Sequence, residues 1–98
     1  MADVIDSEAV DAIFKALADS TRRKIVGLVL KGGAQVNDLV AECKMPQPTI
    51  SKHLKILKDA GLLSSEKDGV RRIYRMAPFS VETKELLIWL EMVKKNER

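Results

Sequence analysis

The residues that interrupt regular structure constrain this chain most, because they leave only short segments between them. Gly32-Gly33, the pair Pro46 and Pro48, Gly61, the Asp68-Gly69 dipeptide and Pro78 leave no room for a long helix before the last segment. Within the segments, apolar residues recur at helical spacing. Val10, Ile13, Phe14 and Leu17 stand at i, i+3, i+4 and i+7, behind a cap at Asp6 or Ser7. Ser20 is expected to cap a second helix running to about Lys31, closed by two glycines that tolerate a left-handed backbone. A short third helix starts near Asn37, with Leu39, Val40 and Cys43 turned inward, and the prolines stop it. Pro48 suits the first position of a fourth helix, residues 48–60, closed by Gly61.

Two extended stretches then flank Asp68-Gly69, a dipeptide that favours a two-residue hairpin turn. A turn centred there sets Lys67 opposite Val70 and Glu66 opposite Arg71. Ser80 caps a last helix reaching about Lys95. The expected order is α-α-α-α-β-β-α, a mainly helical chain with one small β-hairpin (α+β). At 98 residues it makes one domain, 1–98, with a single core. Aromatic residues are only 4%, so aliphatic side chains build that core, and pairing with a second copy is a common remedy for so small a domain.

The net charge of +3 says less than its distribution. Residues 1–19 hold five acids (Asp3, Asp6, Glu8, Asp11, Asp19) against Lys15 alone. Residues 44–75 hold eight bases (Lys44, Lys52, Lys55, Lys58, Lys67, Arg71, Arg72, Arg75) against three acids (Asp59, Glu66, Asp68). Such a basic half is the electrostatic footprint of a protein that binds a polyanion, although an ordinary solvated surface also carries charge. On the fourth helix Ile50, Leu54 and Leu57 form a narrow apolar stripe. Lys52, Lys55 and Pro48 lie opposite, with Thr49 and Lys58 at the flanks and His53 near the edge of the stripe. A helix so divided suits a DNA groove: lysines meet phosphates or guanine edges, and Gln47, Thr49 and Ser51 reach phosphates or bases. Lys67, Arg71, Arg72 and Arg75 lie on or near the hairpin that follows. Double-stranded DNA is therefore the expected partner, and charged strands that merely blunt a sheet edge are the alternative.

FKALADSTRRKIVGLVLKGG, then VNDLVAECKMPQPTISKHLKILKDAGLL, then KDGVRRIYRM, resembles the ArsR family of winged helix-turn-helix repressors. The resemblance covers about Ala12 to Pro78, and ALADSTRRKI and QPTISKHLKILKDAGLL carry it most specifically. It implies a winged helix-turn-helix fold with the helix-turn-helix at 36–60 and the wing at 62–77. It also implies a homodimer joined through helices within 1–19 and 80–95, with two recognition helices entering successive major grooves of a palindromic operator. Matched position by position, Gln47, Thr49, Ser51, Lys52 and His53 fall in the family's DNA-contacting segment, and Lys67, Arg71 and Arg72 beside the wing tip Asp68-Gly69. Capping for Gln47, a solvent-facing role for Ser51 and a core-edge imidazole for His53 are the plainer alternatives. Lys55 completes the expected DNA-binding set.

Many members of that family respond to metals, but this sequence carries no cofactor motif. The family's third-helix thiol pair would align on Gln35 and Asn37, and the last helix has Glu82, Glu85, Glu91 and Glu97 without a histidine. Cys43, the only cysteine, excludes an intrachain disulfide and suits a reducing cytoplasm. A buried thiol is its expected role, and a redox or metal-sensing one the alternative. No metal or small-molecule ligand is evident. With one histidine, no glycine-rich phosphate loop and no paired carboxylates, an enzyme is not expected. The acidic start MADVIDSEAV is unlike a signal peptide, and the longest apolar run, Leu86–Leu90, is too short to span a bilayer. Seven of the eight residues from Leu86 to Val93 are apolar, so the last helix needs cover on two sides. Val10, Phe14, Leu17, Leu86, Trp89, Leu90 and Val93 form the expected dimer surface. A winged helix used only for protein–protein contact is the competing function.

Overall fold

The computed structural model describes residues 7–95, the side chain of Glu82 excepted. The proposed cap Asp6, the other positions of 1–6 and Glu97 lie outside the described residues.

Helix α1 (Glu8–Leu17) starts where the Val10 amide donates to Ser7 Oγ at 3.2 Å, with Glu8 and Asp11 in the first turn facing the positive end of the helix. Helix α2 (Ser20–Val29) is capped one residue earlier than expected. The Arg22 amide donates to Asp19 Oδ1 at 3.0 Å, and Asp19 has the extended backbone of a cap. A carboxylate there also answers the helix dipole, which the Ser20 hydroxyl does not. The helix ends at Val29 with Leu30 as its cap, and the Gly33 amide donates back to the Val29 carbonyl at 2.8 Å. At φ 98° the ideal Cβ of Gly33 would stand 3.0 Å from Arg75 Nη1 and 3.3 Å from the Tyr74 carbonyl.

That close approach admits a strand the sequence did not announce. Strand β1 (Ala34–Gln35) pairs antiparallel with β3, Ala34 opposite Tyr74 and Gln35 opposite Ile73. Helix α3 (Val36–Cys43) follows, its start fixed by the Gln35 amide donating to Asp38 Oδ2 at 3.1 Å. Helix α4 (Gln47–Asp59) begins one residue before the expected Pro48, because Pro46 takes the cap and its carbonyl accepts from Thr49 and Ile50. Pro48, in the first turn, lacks only an amide that would have gone unpaired there.

Strands β2 (Leu63–Asp68) and β3 (Arg71–Met76) form the wing, and the sheet order is β1-β3-β2. The expected register is corrected here: Lys67 faces Arg72 and Glu66 faces Ile73, so the loop is Gly69-Val70 rather than Asp68-Gly69. Only Gly69 of that loop has a positive φ, 66°, and a turn with glycine first needs a left-handed residue at that position alone. The partners shift by two, so each side chain keeps its expected face. Helix α5 (Val81–Lys95) is started by Ser80 Oγ, which accepts from the Thr83 amide at 3.2 Å.

The order α-α-β-α-α-β-β-α is that of a winged helix-turn-helix. Its core draws Val10 and Ile13 from α1, Ile25 and Val29 from α2, Leu39 from α3, and Ile50, Leu54 and Leu57 from α4. Leu62, Leu63 and Leu86 close it toward the wing and α5. Cys43 is half-buried against this core.

Candidate nucleic-acid interface

Burying Ile50, Leu54 and Leu57 turns the opposite face of α4 outward. Gln47, Ser51, Lys52 and Lys55 are exposed there, and Thr49 is half-buried at the flank. Since a helix advances about 100° per residue, Gln47, Ser51 and Lys58 share a flank, Thr49 and the exposed Ile56 lie toward the other, and Lys52 and Lys55 stand between them, opposite the buried stripe.

The wing sorts its cations by strand parity. Lys67 and Arg72 stand opposite each other on the face that also carries Leu63, Ser65, Tyr74 and Met76, the face turned to α4 and the core. Arg71 and Arg75 lie on the other face with Glu66 and Asp68. Arg75 is engaged through two of its nitrogens: its Nε lies 2.6 Å from Glu66 Oε1 and its Nη1 donates to the Gly32 carbonyl at 2.9 Å. Arg72 meets no carboxylate. It donates to Ser65 Oγ at 3.1 Å, and Lys58 of α4 donates to the same oxygen at 3.0 Å. One hydroxyl thus gathers two cations where the recognition helix meets the wing. Sequence reasoning missed Ser65 and left Lys58 out of the site; the alternation that sets Ser65 on the side of Lys67 and Arg72 was the available signal.

Two ion pairs form among the described residues, Lys55–Asp59 at 2.9 Å and Arg75–Glu66. Lys52, Lys58, Lys67, Arg71 and Arg72 consequently have no carboxylate partner among them. Both pairs are well exposed, so Lys55 is held only weakly and an incoming phosphate can compete for it.

His53 is half-buried and turned toward α2, where its Nδ1 lies 3.2 Å from Arg22 Nη1. Only Nε2 is left for a contact outside the subunit. Arg22 also donates through Nε to the Ala16 carbonyl at 2.6 Å and through Nη2 to that of Lys15 at 3.2 Å. Nearby, the Asp19 carboxyl is held below its ordinary value of 3.8, chiefly by the Arg22 amide it accepts from and further by the Arg22 charge.

An open hollow of about 280 Å³ separates the start of α3 from the wing, lined by Gln35, Val36, Asn37, Val70, Arg71 and Arg72. Gln35 and Asn37 are the positions where the family's thiol pair would align. Carboxamides beside two guanidinium groups supply no thiolate and repel a cation, so these residues do not fit a soft metal. No three His, Cys, Asp or Glu side chains converge among the described residues.

A second surface lies on α1 and α5. Of the expected dimer residues, Phe14, Leu90 and Val93 are exposed, at 49%, 42% and 45%. Leu17 and Trp89 are half-buried against the core. Val10 and Leu86 are corrected: both are buried inside their own subunit, because they sit on the stripes where α1 and α5 cover the core. Val81, Leu87, Ile88 and Met92 are the exposed apolar residues of α5 that the sequence reading left out. Among the described residues, no helix is long and apolar enough to cross a membrane.

Comparison with known proteins agrees with this architecture. The model of the bacterial regulatory proteins of the arsR family matches residues 19–65, which run from the Asp19 cap to Ser65 of the wing. An HTH-type transcriptional regulator of Mycobacterium tuberculosis is 40% identical over 69% of this chain, which spans 64% of that relative's length. The crystal structure of an ArsR family transcriptional regulator superposes with a TM-score of 0.75 at 31% identity, covering 90% of this chain and 94% of that one. A solution structure from Mycobacterium bovis, described as a homodimeric winged helix-turn-helix DNA-binding domain, covers 98% of this chain and 85% of its own, with a TM-score of 0.70 and 28% identity.

Proposed function

The chain belongs to the arsR family of bacterial regulatory proteins, and from that premise we propose that it is a homodimeric, DNA-binding transcriptional repressor of the cytoplasm. Helix α4 enters the major groove of a palindromic operator with Gln47, Thr49, Ser51 and Lys52 toward the bases and nearest phosphates. Lys55, Lys67, Arg71 and Arg72 meet the backbone on either side, and Lys58 with Ser65 joins them at the junction of helix and wing. Phe14, Leu87, Ile88, Leu90, Met92 and Val93 form the isologous seam, completed at its edges by Leu17 and Trp89. The homodimer described for the Mycobacterium bovis domain supports that assembly. The reading assigns the chain no catalytic role.

The observation that carries this reading is the set of cations without carboxylate partners on α4 and the adjoining wing face. Such a surface is complementary to a polyanion and to little else. Selection of bound fragments from random duplexes tests it. Two inverted half-sites about 10 bp apart centre to centre, or a multiple, are the expected product. Affinity independent of salt, or recovered fragments without a repeat, would refute it.

Release from DNA by a metal or a dithiol is not part of the proposal, since Gln35 and Asn37 offer no thiolate and Cys43 has no second cysteine in the chain. Control by abundance or by a protein partner fits better. Stoichiometric zinc retained on purification, and lost together with operator binding on chelation, would overturn that part.

A further inference from the structure

Side-chain hydrogen bonds of α4 run, among the described residues, to three places: to its own last turn through Lys55, to the wing through Lys58, and to the body of the subunit through His53. The last is the richest. The Arg22 guanidinium bonds the carbonyls of Lys15 and Ala16 with two nitrogens and His53 Nδ1 with the third. Those carbonyls belong to the last turn of α1, where that of Lys15 also accepts from the Ala18 amide at 3.3 Å. Arginine only donates, so Nδ1 of His53 accepts, and a neutral ring carries its proton on Nε2. Asp19, which caps α2 through the Arg22 amide, anchors the same corner. ALADSTRRKI and QPTISKHLKILKDAGLL therefore meet at one guanidinium.

We propose that Arg22 and His53 are positioning residues that fix the angle between the recognition helix and α1, and so the spacing of the two recognition helices in the dimer. The proposal rests on the homodimeric DNA-binding reading above. An apolar stripe decides which face of α4 is buried, but it tolerates small rolls and slides. A planar fork bonded at three points does not, because no arm moves without the others. Since α1 carries Phe14 of the seam, the path from seam to DNA runs through α1, Arg22 and His53 into α4.

The test measures spacing discrimination: affinity for the selected operator divided by affinity for the same operator with one base pair inserted between half-sites, a rotation of about 35°. Arg22→Lys keeps the charge and loses the fork. It is expected to leave the thermal melt cooperative, dimerisation intact and non-specific duplex binding within about twofold, while discrimination falls about tenfold. His53→Ala lowers discrimination similarly, His53→Asn restores most of it by retaining an acceptor near Nδ1, and the double variant Arg22→Lys/His53→Ala loses no more than either alone. Wild-type discrimination in Arg22→Lys, or additive losses in the double variant, would overturn the proposal. Should Arg22→Lys fail to fold, the His53 pair decides: equal discrimination by the Ala and Asn variants overturns it. A wild-type protein that binds no duplex would instead remove the DNA-binding reading on which this one stands.

Discussion

Helices α4 and α5 bury narrow stripes of similar kind, Ile50, Leu54 and Leu57 in one, Thr83 and Leu86 in the other, yet their outer faces are opposites. Apart from Ile56, the free face of α4 offers lysines, hydroxyls and one carboxamide, groups that water satisfies. That of α5 offers Leu87, Ile88, Leu90, Met92 and Val93, which water does not. The first can wait in solvent for a polyanion and release it as salt rises; the second gains only when another apolar surface covers it. One chain thus carries a reversible electrostatic face and a hydrophobic one, built on a single small core.

The sharpest way to break this comparison is to exchange the chemistry of the faces. Leu90→Lys puts an unpaired charge into the seam twice, once per subunit, and is expected to weaken dimerisation and operator binding about a hundredfold or more. Sedimentation and operator titration read both, and an intact dimer would take α5 out of the seam. Next in size, Lys52→Ala and Arg72→Ala should each weaken binding to all duplexes and reduce the logarithmic salt slope by about 1. Arg75→Ala, three residues along the same strand, should leave that slope unchanged, because Glu66 and the Gly32 carbonyl already hold Arg75. Equal slopes for the two arginine variants would contradict the division of the wing arginines by their partners.

Smaller effects probe the frame that holds both faces. Gly33→Ala forces a side chain into a left-handed backbone against Arg75 and the Tyr74 carbonyl, and should cost about 1–3 kcal/mol in a denaturant melt. Smallest is the Asp19 cap. Its folded value lies below the ordinary 3.8, so its contribution is fully present above that pH and fades as pH falls through the lowered value. Asp19→Asn should therefore lower thermal stability slightly at neutral pH and flatten its loss in that acid range, the two proteins converging as Asp19 becomes protonated.

Much of the fold was legible in the sequence because glycine and proline act locally. The helices between the breaks, the hairpin after α4 and the start of α5 at Ser80 follow from neighbours a few residues apart. What escaped depends on contacts distant in sequence. A two-residue strand is too short for alternation to be seen, and β1 exists because β3 lies beside it. Asp19 and Ser20 are both good caps on paper, and backbone geometry chose between them. In the candidate site, the outer face of α4 was readable from periodicity alone. The separation of Arg72 from Arg75 needed their partners, as did the burial of Val10 and Leu86, since an apolar residue on a helix does not say which of two neighbours it meets. His53 was drawn toward DNA by its place in the motif, whereas Arg22, thirty-one positions earlier, engages its Nδ1.

Strand β1 has a mechanical consequence out of proportion to its length. By hydrogen-bonding to β3 immediately before α3 begins, it welds the hairpin to the first helix of the DNA-reading pair, so neither can tilt without dragging the other. Strand β1 and the wing should then open to solvent in one concerted step rather than independently, and a tug delivered at Val70 would be felt at Asn37.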